Sequence, residues 1–355
     1  MSNLVTLPSP RRATRLVPAL GVLVFFLAGC TVNVDMPQSY ALIYGIAEYS
    51  DTGIGDLTYT DDDAEDMAAL LGRKGYDVSL TRTDAEATLD QFEEDVATLA
   101  ATLRPSDRLF VYLSGHGLGN GQTEEYSAAI EQHLAELPSD GEPYGQFAAD
   151  EYFFFYGAMP WAGDDTIAEG VSDDELRGLL STIPAQQKIV VIDGCHSGGF
   201  VGDGSFADTV PQDYQGTAAG AGLSDLGAAI TLGLRGPVWS DDGGTGGADG
   251  SGAEAISDLP ASQYFVLTAA GERDFSWETS VLENGVFTEY FLESASGGDA
   301  NNDGYITLSE AYLWASRRIE EEFNDVVVSV TGQENDRFMP RLSGSTADVV
   351  LFEAD

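Results

Sequence analysis

The hydrophobic pattern divides the chain into short apolar runs separated by amphipathic stretches. Tyr40 to Ile46, Tyr76 to Thr81, Arg108 to Ser114, Ile189 to Ile192 and Gln263 to Ala270 read as strands. Ile189 to Ile192 is continuous in β-branched residues and bounded by glycine, too short for a helix, and predicts a buried parallel strand. Asp61 to Lys74 predicts a helix, with acid in its first turn, where the dipole favours it, and Lys74-Gly75 at its end. Ala85 to Leu103 predicts a second helix, stopped by Pro105. Ser172-Asp173-Asp174-Glu175 spells a capping box that opens a helix through Ile183. Gly285 to Ser294 and Leu308 to Phe323 predict two more helices, with strands near Val326 to Val330 and at Asp348 to Phe352. The aromatic run Tyr152 to Tyr156 reads as an edge strand or hairpin whose rings pack in the core rather than form a substrate platform. Strands alternating with helices of this size require right-handed crossovers and a mostly parallel sheet, an α/β fold.

The two ends of the pattern depart from it. Arg11, Arg12 and Arg15 precede the apolar stretch Leu16 to Leu27, the layout of an export signal. Leu27-Ala28-Gly29-Cys30 then matches a bacterial lipoprotein processing box, in which Cys30 is lipidated and becomes the new amino terminus. The stretch is shorter than the ~18 residues of a membrane span. Residues 1–29 are therefore expected to be a signal peptide, residues 30–38 a lipidated tether and residues 39–355 one domain. Thr31 after Cys30, where aspartate would favour the inner membrane, points to the outer membrane or cell surface. Within the domain, 118–150 is a polar insertion and 200–260 a long loop rich in Gly, Ala and Asp, with the low-complexity stretch Asp241 to Gly252 at its centre.

Charge narrows the choice of partner. The formal net charge is −43, from 59 acidic against 16 basic residues, and removal of the three leader arginines makes it more negative still. Lysine occurs only at 74 and 188. Acid spread along a chain that is 43% hydrophobic describes a folded domain with a strongly solvated surface. That pattern reads as adaptation to high salt, with binding of many divalent cations as the competing reading. Nucleic acid is excluded as a partner, because phosphate contacts need a basic face.

Two strand ends carry candidate chemistry. Lys188 to Gly199 runs from the buried strand through Asp193-Gly194 into Cys195-His196-Ser197-Gly198-Gly199. The carboxyl edge of an open α/β sheet is where ligands bind, and a thiol there among glycines is a candidate nucleophile. A buried structural cysteine is the bland alternative. With Cys30 carrying lipid, Cys195 is the single remaining thiol of an exported protein, so no intramolecular disulfide can form. The base a thiolate needs must come from the three histidines. His133 lies in a polar, acidic segment, and His196, as a chain neighbour at the strand end, points away from Cys195. His116, in Ser114-Gly115-His116-Gly117 after the third strand, is the candidate base.

Together these two motifs resemble the caspase-like cysteine peptidases, and among them the metacaspases and their bacterial relatives. Asp62-Asp63-Ala64-Glu65-Asp66, Leu267-Thr268-Ala269-Ala270, Ser276-Trp277-Glu278, Phe287-Thr288 and Pro340-Arg341-Leu342-Ser343-Gly344 fit the same resemblance, which covers nearly all of residues 40–355. It implies a mostly parallel six-stranded sheet flanked by helices, Cys195 as nucleophile, His116 as general acid/base, and the amides of Gly117 and Cys195 as oxyanion donors. It further implies a substrate pocket formed by Asp63, Asp193 and Ser114. Two carboxylates there favour a cationic side chain, and so cleavage of protein or peptide substrates after Arg or Lys. The plain alternative for Asp63 is a helix-start acid with no other role.

One further motif stands apart from that family's pattern. Asp299, Asn301, Asp303, Tyr305 (through its carbonyl), Thr307 and Glu310 fall at positions 1, 3, 5, 7, 9 and 12 of an EF-hand loop, with Gly304 at position 6. Calcium is the implied cofactor, structural or regulatory, and nothing in the sequence requires an organic one. Arg235 is the single basic residue between Lys188 and Arg273, and is the candidate for self-cleavage. Two readings compete with an arginine-directed peptidase anchored at the membrane through Cys30. One is an inactive, calcium-dependent surface binding module; the other, a legumain-like peptidase, is disfavoured by the Asp-Gly-Cys-His-Ser-Gly spelling.

Overall fold

A computed structural model describes residues 36–50, 55–118, 152–159, 168–194, 232–234, 264–271, 275–331, 337–343 and 349–355. The signal segment with Cys30, the 118–150 insertion beyond Leu118, Cys195 with the glycines after it, and Arg235 lie outside the described residues. The chain forms β1 (Ser39–Gly45), α1 (Thr60–Arg73), β2 (Asp77–Thr83), α2 (Leu89–Thr102) and β3 (Arg108–Ser114). After β4 (Gly117–Leu118) come β5 (Tyr152–Met159), β6 (Ala168–Ser172), α3 (Asp173–Ser181) and β7 (Gln187–Asp193). Next are β8 (Leu232–Leu234), β9 (Tyr264–Thr268), β10 (Trp277–Thr279), β11 (Asn284–Gly285) and α4 (Val286–Gly297). The chain closes with β12 (Tyr305–Thr307), α5 (Leu308–Arg318), α6 (Asp325–Thr331), β13 (Arg341–Ser343) and β14 (Val350–Glu353).

Six strands form the central sheet in the order β13-β9-β7-β3-β1-β2. All neighbours run parallel except β13, which lies antiparallel on β9 at the edge. Because side chains alternate across a strand, each strand supplies both faces. Ile43, Phe110, Tyr112, Ile189, Val191 and Leu267 pack beneath α1, α4 and α5. Leu42, Tyr44, Leu109, Val111, Val190 and Ile192 pack beneath α2, α3 and β5. Burial on both faces is why these strands read as continuous apolar runs. Each such side chain removed from water contributes about 1.5–3 kcal/mol.

The aromatic run belongs to this second face. Phe153, Phe154 and Phe155 are all buried in a small sheet of order β4-β5-β6. Phe155 meets the edges and faces of Tyr44 and Phe92 at centroid distances of 5.8 and 5.2 Å. The Tyr44 hydroxyl donates to Asp95 at 2.8 Å, and burial first, then that carboxylate, push the phenol far above its ordinary range.

Three expectations change. The helix predicted from Ala85 begins at Leu89, capped by Thr88, whose hydroxyl accepts from Gln91 N–H. Ahead of it a 3₁₀ turn, 84–86, starts at Asp84 with φ +46, and the Asp84 carboxylate accepts the amides of Ala47 and Glu48. That side chain is spent on holding the loop after β1, which breaks the helix there. The strand predicted near Val326 to Val330 is overturned: α5 runs on through a π-helical stretch, 319–324, into α6. Phe323, Asn324 and Val327 are buried at helical spacing, and that packing outweighs the β-branched composition. The short strands β4, β6, β8, β10, β11, β12 and β13 were not predicted. Among the described residues no helix is long and apolar enough to cross a membrane.

One turn gives the sheet a measurable acid sensitivity. Asp107 accepts the amides of Gln38 and Arg104 and the Arg104 guanidinium at 2.8–2.9 Å. The guanidinium first, with the backbone donors, holds its carboxyl down to about 2 against the opposing effect of burial. A depressed carboxyl stabilises the fold above the unfolded value and loses that contribution as pH falls towards 2. The Asp107→Asn variant is expected to have a lower urea midpoint than the parent at pH 5, with the gap narrowing at pH 2.5. A gap independent of pH counts against this account.

Candidate functional site

The central strands end in one register row. Gly45 of β1 pairs with Ser114 of β3, and Ser114 with Asp193 of β7. Parallel neighbours in a row point to the same face, so Ser114 and Asp193 both turn towards α1 and α4. Both are fully buried, as is Asp63 in the first turn of α1. Ser114 donates its hydroxyl to Asp63 Oδ2 at 2.8 Å, while Gly285 N–H donates to Oδ1 at 2.7 Å. Asp193 accepts the hydroxyls of Ser276 at 2.6 Å and Thr288 at 2.5 Å, and Tyr112 donates in turn to Thr288. The three residues expected to line a substrate pocket are thus brought together. Their partners come from the β10–β11 hairpin and the start of α4.

His116 lies two residues beyond β3 and is 2% exposed. Its amide donates to the Tyr49 hydroxyl at 2.9 Å, its carbonyl accepts from Phe154 N–H at 3.0 Å, and its ring lies 4.9 Å from the Tyr49 ring. Nε2 is 2.6 Å from the Gly55 carbonyl. A carbonyl only accepts, so Nε2 carries the hydrogen and Nδ1 is the nitrogen left to take or give a proton.

The turn after β3 packs directly on the end of β7. Gly115 N–H donates to the Asp193 carbonyl at 3.1 Å. A Cβ on Gly194 would stand 2.9 Å from the Gly115 carbonyl and 3.7 Å from the Gly117 nitrogen, so only glycine permits this approach. Gly117 pairs opposite Phe153 in β4. The chain therefore carries His116 and Gly117 to the strand end that Cys195 follows, although Cys195 lies outside the described residues.

Sequence reasoning missed most of the residues that hold these groups. Tyr49 and Gly55 sit in irregular chain after β1 and carry no periodic signal. Ser276, Glu278 and Thr288 belong to short motifs that fit the family resemblance, but their bonds could not be read from it. Both oxygens of Glu278, which is buried, accept backbone amides, Thr58 N–H at 2.9 Å and Tyr59 N–H at 3.1 Å.

The predicted calcium loop joins α4 to α5. Gly304 adopts φ +85, the conformation position 6 requires. Asp299 accepts the amides of Asp303 and Gly304, Asn301 that of Asp303, and Asp303 that of Tyr305. Glu310 reaches back to the amide of Ala300 and closes a capping box with Thr307. These side chains are bonded to the loop's own backbone. Among the described residues no three His, Cys, Asp or Glu side chains converge as a metal-binding group. β12 pairs with β14, whose Leu351 carbonyl accepts from Tyr76 and Arg108 at the amino ends of β2 and β3. The loop therefore lies at the end of the sheet opposite His116.

The caspase domain family profile matches residues 38–348. The fold is similar to that of a protein from Geobacter sulfurreducens, at 17% identity over 90% of this chain and 98% of that one, with a TM-score of 0.49. It is also similar to caspase-1 from Spodoptera frugiperda, at 11% identity over 90% and 91% of the two chains, with a TM-score of 0.46. No curated protein matches the chain. With nearly the whole of its length from β1 onwards matched, the chain belongs to the caspase domain family.

Proposed function

We propose that the chain is a cysteine endopeptidase in which Cys195 and His116 act as a dyad and the substrate is cut after Arg or Lys. The observation that carries this is the packing of the His116 turn against Asp193, which ends β7, and Gly194, the residue just before Cys195. In this reading the Cys195 thiolate attacks the scissile carbonyl, and the amides of Gly117 and Cys195 hold the oxyanion. The proton leaves on the departing amine, delivered by His116 Nδ1. Water then releases the acyl group and restores the thiol. Asp63 and Asp193, with Ser114 between them, supply the negative charge for a cationic side chain.

Calcium binding by Asp299, Asn301, Asp303, the Tyr305 carbonyl, Thr307 and Glu310 is proposed as structural support, because the loop stands away from the dyad. Lipidation of Cys30 would hold the enzyme at the outer membrane or cell surface. The test is a panel of fluorogenic peptides ending in Arg, Lys, Asp or Asn, assayed at low and high salt, with calcium or chelator. Arg and Lys peptides are expected to be cut at least about a hundredfold faster than Asp or Asn peptides, as a paired carboxylate pocket implies. Chelation is expected to lower the thermal midpoint more than the rate at low temperature. The same samples should show two fragments from cleavage after Arg235. Equal rates on Arg and Asp peptides would sink the pocket assignment, and an intact chain in active enzyme would remove self-cleavage.

A further inference from the structure

Glu278 is a buried acid that accepts backbone amides on a distant part of the chain. Its carboxylate grips two successive amides, Thr58 and Tyr59, more than two hundred residues away in sequence. Those amides end the segment that begins at Gly55, whose carbonyl fixes Nε2–H of His116. Other anchors of the segment are Leu57 N–H on the Ala47 carbonyl, Asp56 accepting from Tyr49 N–H, and the Tyr59 side chain on Ser280. The first two tie it to neighbouring residues of the same loop. Glu278 ties its backbone to β10, the strand that follows Ser276, whose hydroxyl holds Asp193. A carboxylate taking two N–H donors is a strong, directional clamp, and a buried one left half-satisfied is costly.

We propose that Glu278 is a positioning residue for His116: by clamping Thr58 and Tyr59 it sets where the Gly55 carbonyl stands, and so holds the imidazole in its Nε2–H form, facing the end of β7. This rests on the peptidase reading of the site. The Glu278→Gln variant keeps the shape but turns one acceptor into a donor facing an amide. The Gly55 segment then shifts, and His116 loses its fixed tautomer. Misplacing a catalytic group by about an ångström costs up to a hundredfold in rate. The expected result is a fall in kcat of about ten- to a hundredfold, with KM within twofold of the parent, since Glu278 is not asked to touch substrate. The Glu278→Asp variant, which keeps the charge but reaches one amide, should fall between the two.

The deciding measurement is independent of turnover. In long-range proton–nitrogen spectra of protein labelled with nitrogen-15 histidine, the His116 signals are identified by their loss in His116→Gln. The parent should show the Nε2–H tautomer and Glu278→Gln a mixture of both, with Glu278→Asp again intermediate. Loss of kcat with His116 signals unchanged overturns the proposal, since it would mark a merely structural role, and so does full activity in Glu278→Gln. Should Glu278→Gln fail to fold, the Glu278→Asp spectrum decides in the same way. If the parent cuts no peptide, the peptidase reading falls while the tautomer comparison still decides what Glu278 does.

Discussion

The His116→Ala variant should cut arginine peptides about 10²–10⁴ times more slowly than the parent, the range spanned by loss of a positioned acid/base. Cys195→Ala should lower the rate at least as far, because in the proposed mechanism the acyl intermediate forms on its sulfur. The two changes should not add, since nucleophile and base act as one unit. A double variant no slower than Cys195→Ala is the signature of a dyad. The carbonyl of Gly55 on Nε2 sharpens the expectation. Proton delivery depends on Nδ1, so His116→Gln, which cannot transfer a proton, should be as poor as alanine. The measurement is kcat/KM by fluorogenic peptide, with thermal midpoints of the variants to show that each remains folded. Retention of more than about a tenth of the parent rate in His116→Ala would end the case for this histidine.

Gly45→Val should unfold the domain or bring it close to unfolding. Gly45 closes β1 directly beneath the first turn of α1. A Cβ there would stand 2.2 Å from the Thr60 carbonyl oxygen and 2.6 Å from Ala64 Cβ. Backbone cannot rotate out of the way as a side chain can, so α1 must lift from the sheet. Overpacking of well-filled cores costs about 1–3 kcal/mol, and this clash is with main chain already at the Cβ. The same lift would carry Asp63 away from Ser114 and Gly285, so any residual folded protein should have lost its preference for arginine. Urea midpoints of the parent, Gly45→Ala and Gly45→Val, falling in that order, check this. A valine variant as stable as the parent would mean that α1 is not seated as described.

The parts of the molecule legible in the sequence are those governed by local pattern. The Ile189 to Ile192 run specifies a strand buried on both faces, and Ser172 to Glu175 specifies a helix start, because neighbouring residues alone decide these. Asp193 could be singled out because it closes such a strand, and His116 because it follows one by two residues. Val326 to Val330 misled because β-branched residues favour strands only when nothing larger intervenes. Here Phe323 and Val327 keep a helical face in the core. Tyr49, Gly55 and Glu278 were invisible for a different reason. Each contributes through a hydrogen bond to a group far off in the chain, and such bonds leave no periodicity behind.

The hairpin at residues 277–285, with its flanking Ser276 and Thr288, also bears on when the site can exist. It supplies Ser276 and Thr288 to Asp193, Gly285 to Asp63 and Glu278 to the loop beneath His116, over separations of 83, 95, 222 and 220 residues. Loop-closure entropy must be met before such long-range contacts return anything, so they form late. An amino-terminal portion emerging from a ribosome can build β1, α1 and β3, but its two acids have no donors from this hairpin. On the proposed peptidase reading, the site is therefore completed only when the last third of the chain is present, and a product truncated before Ser276 is expected to be inactive.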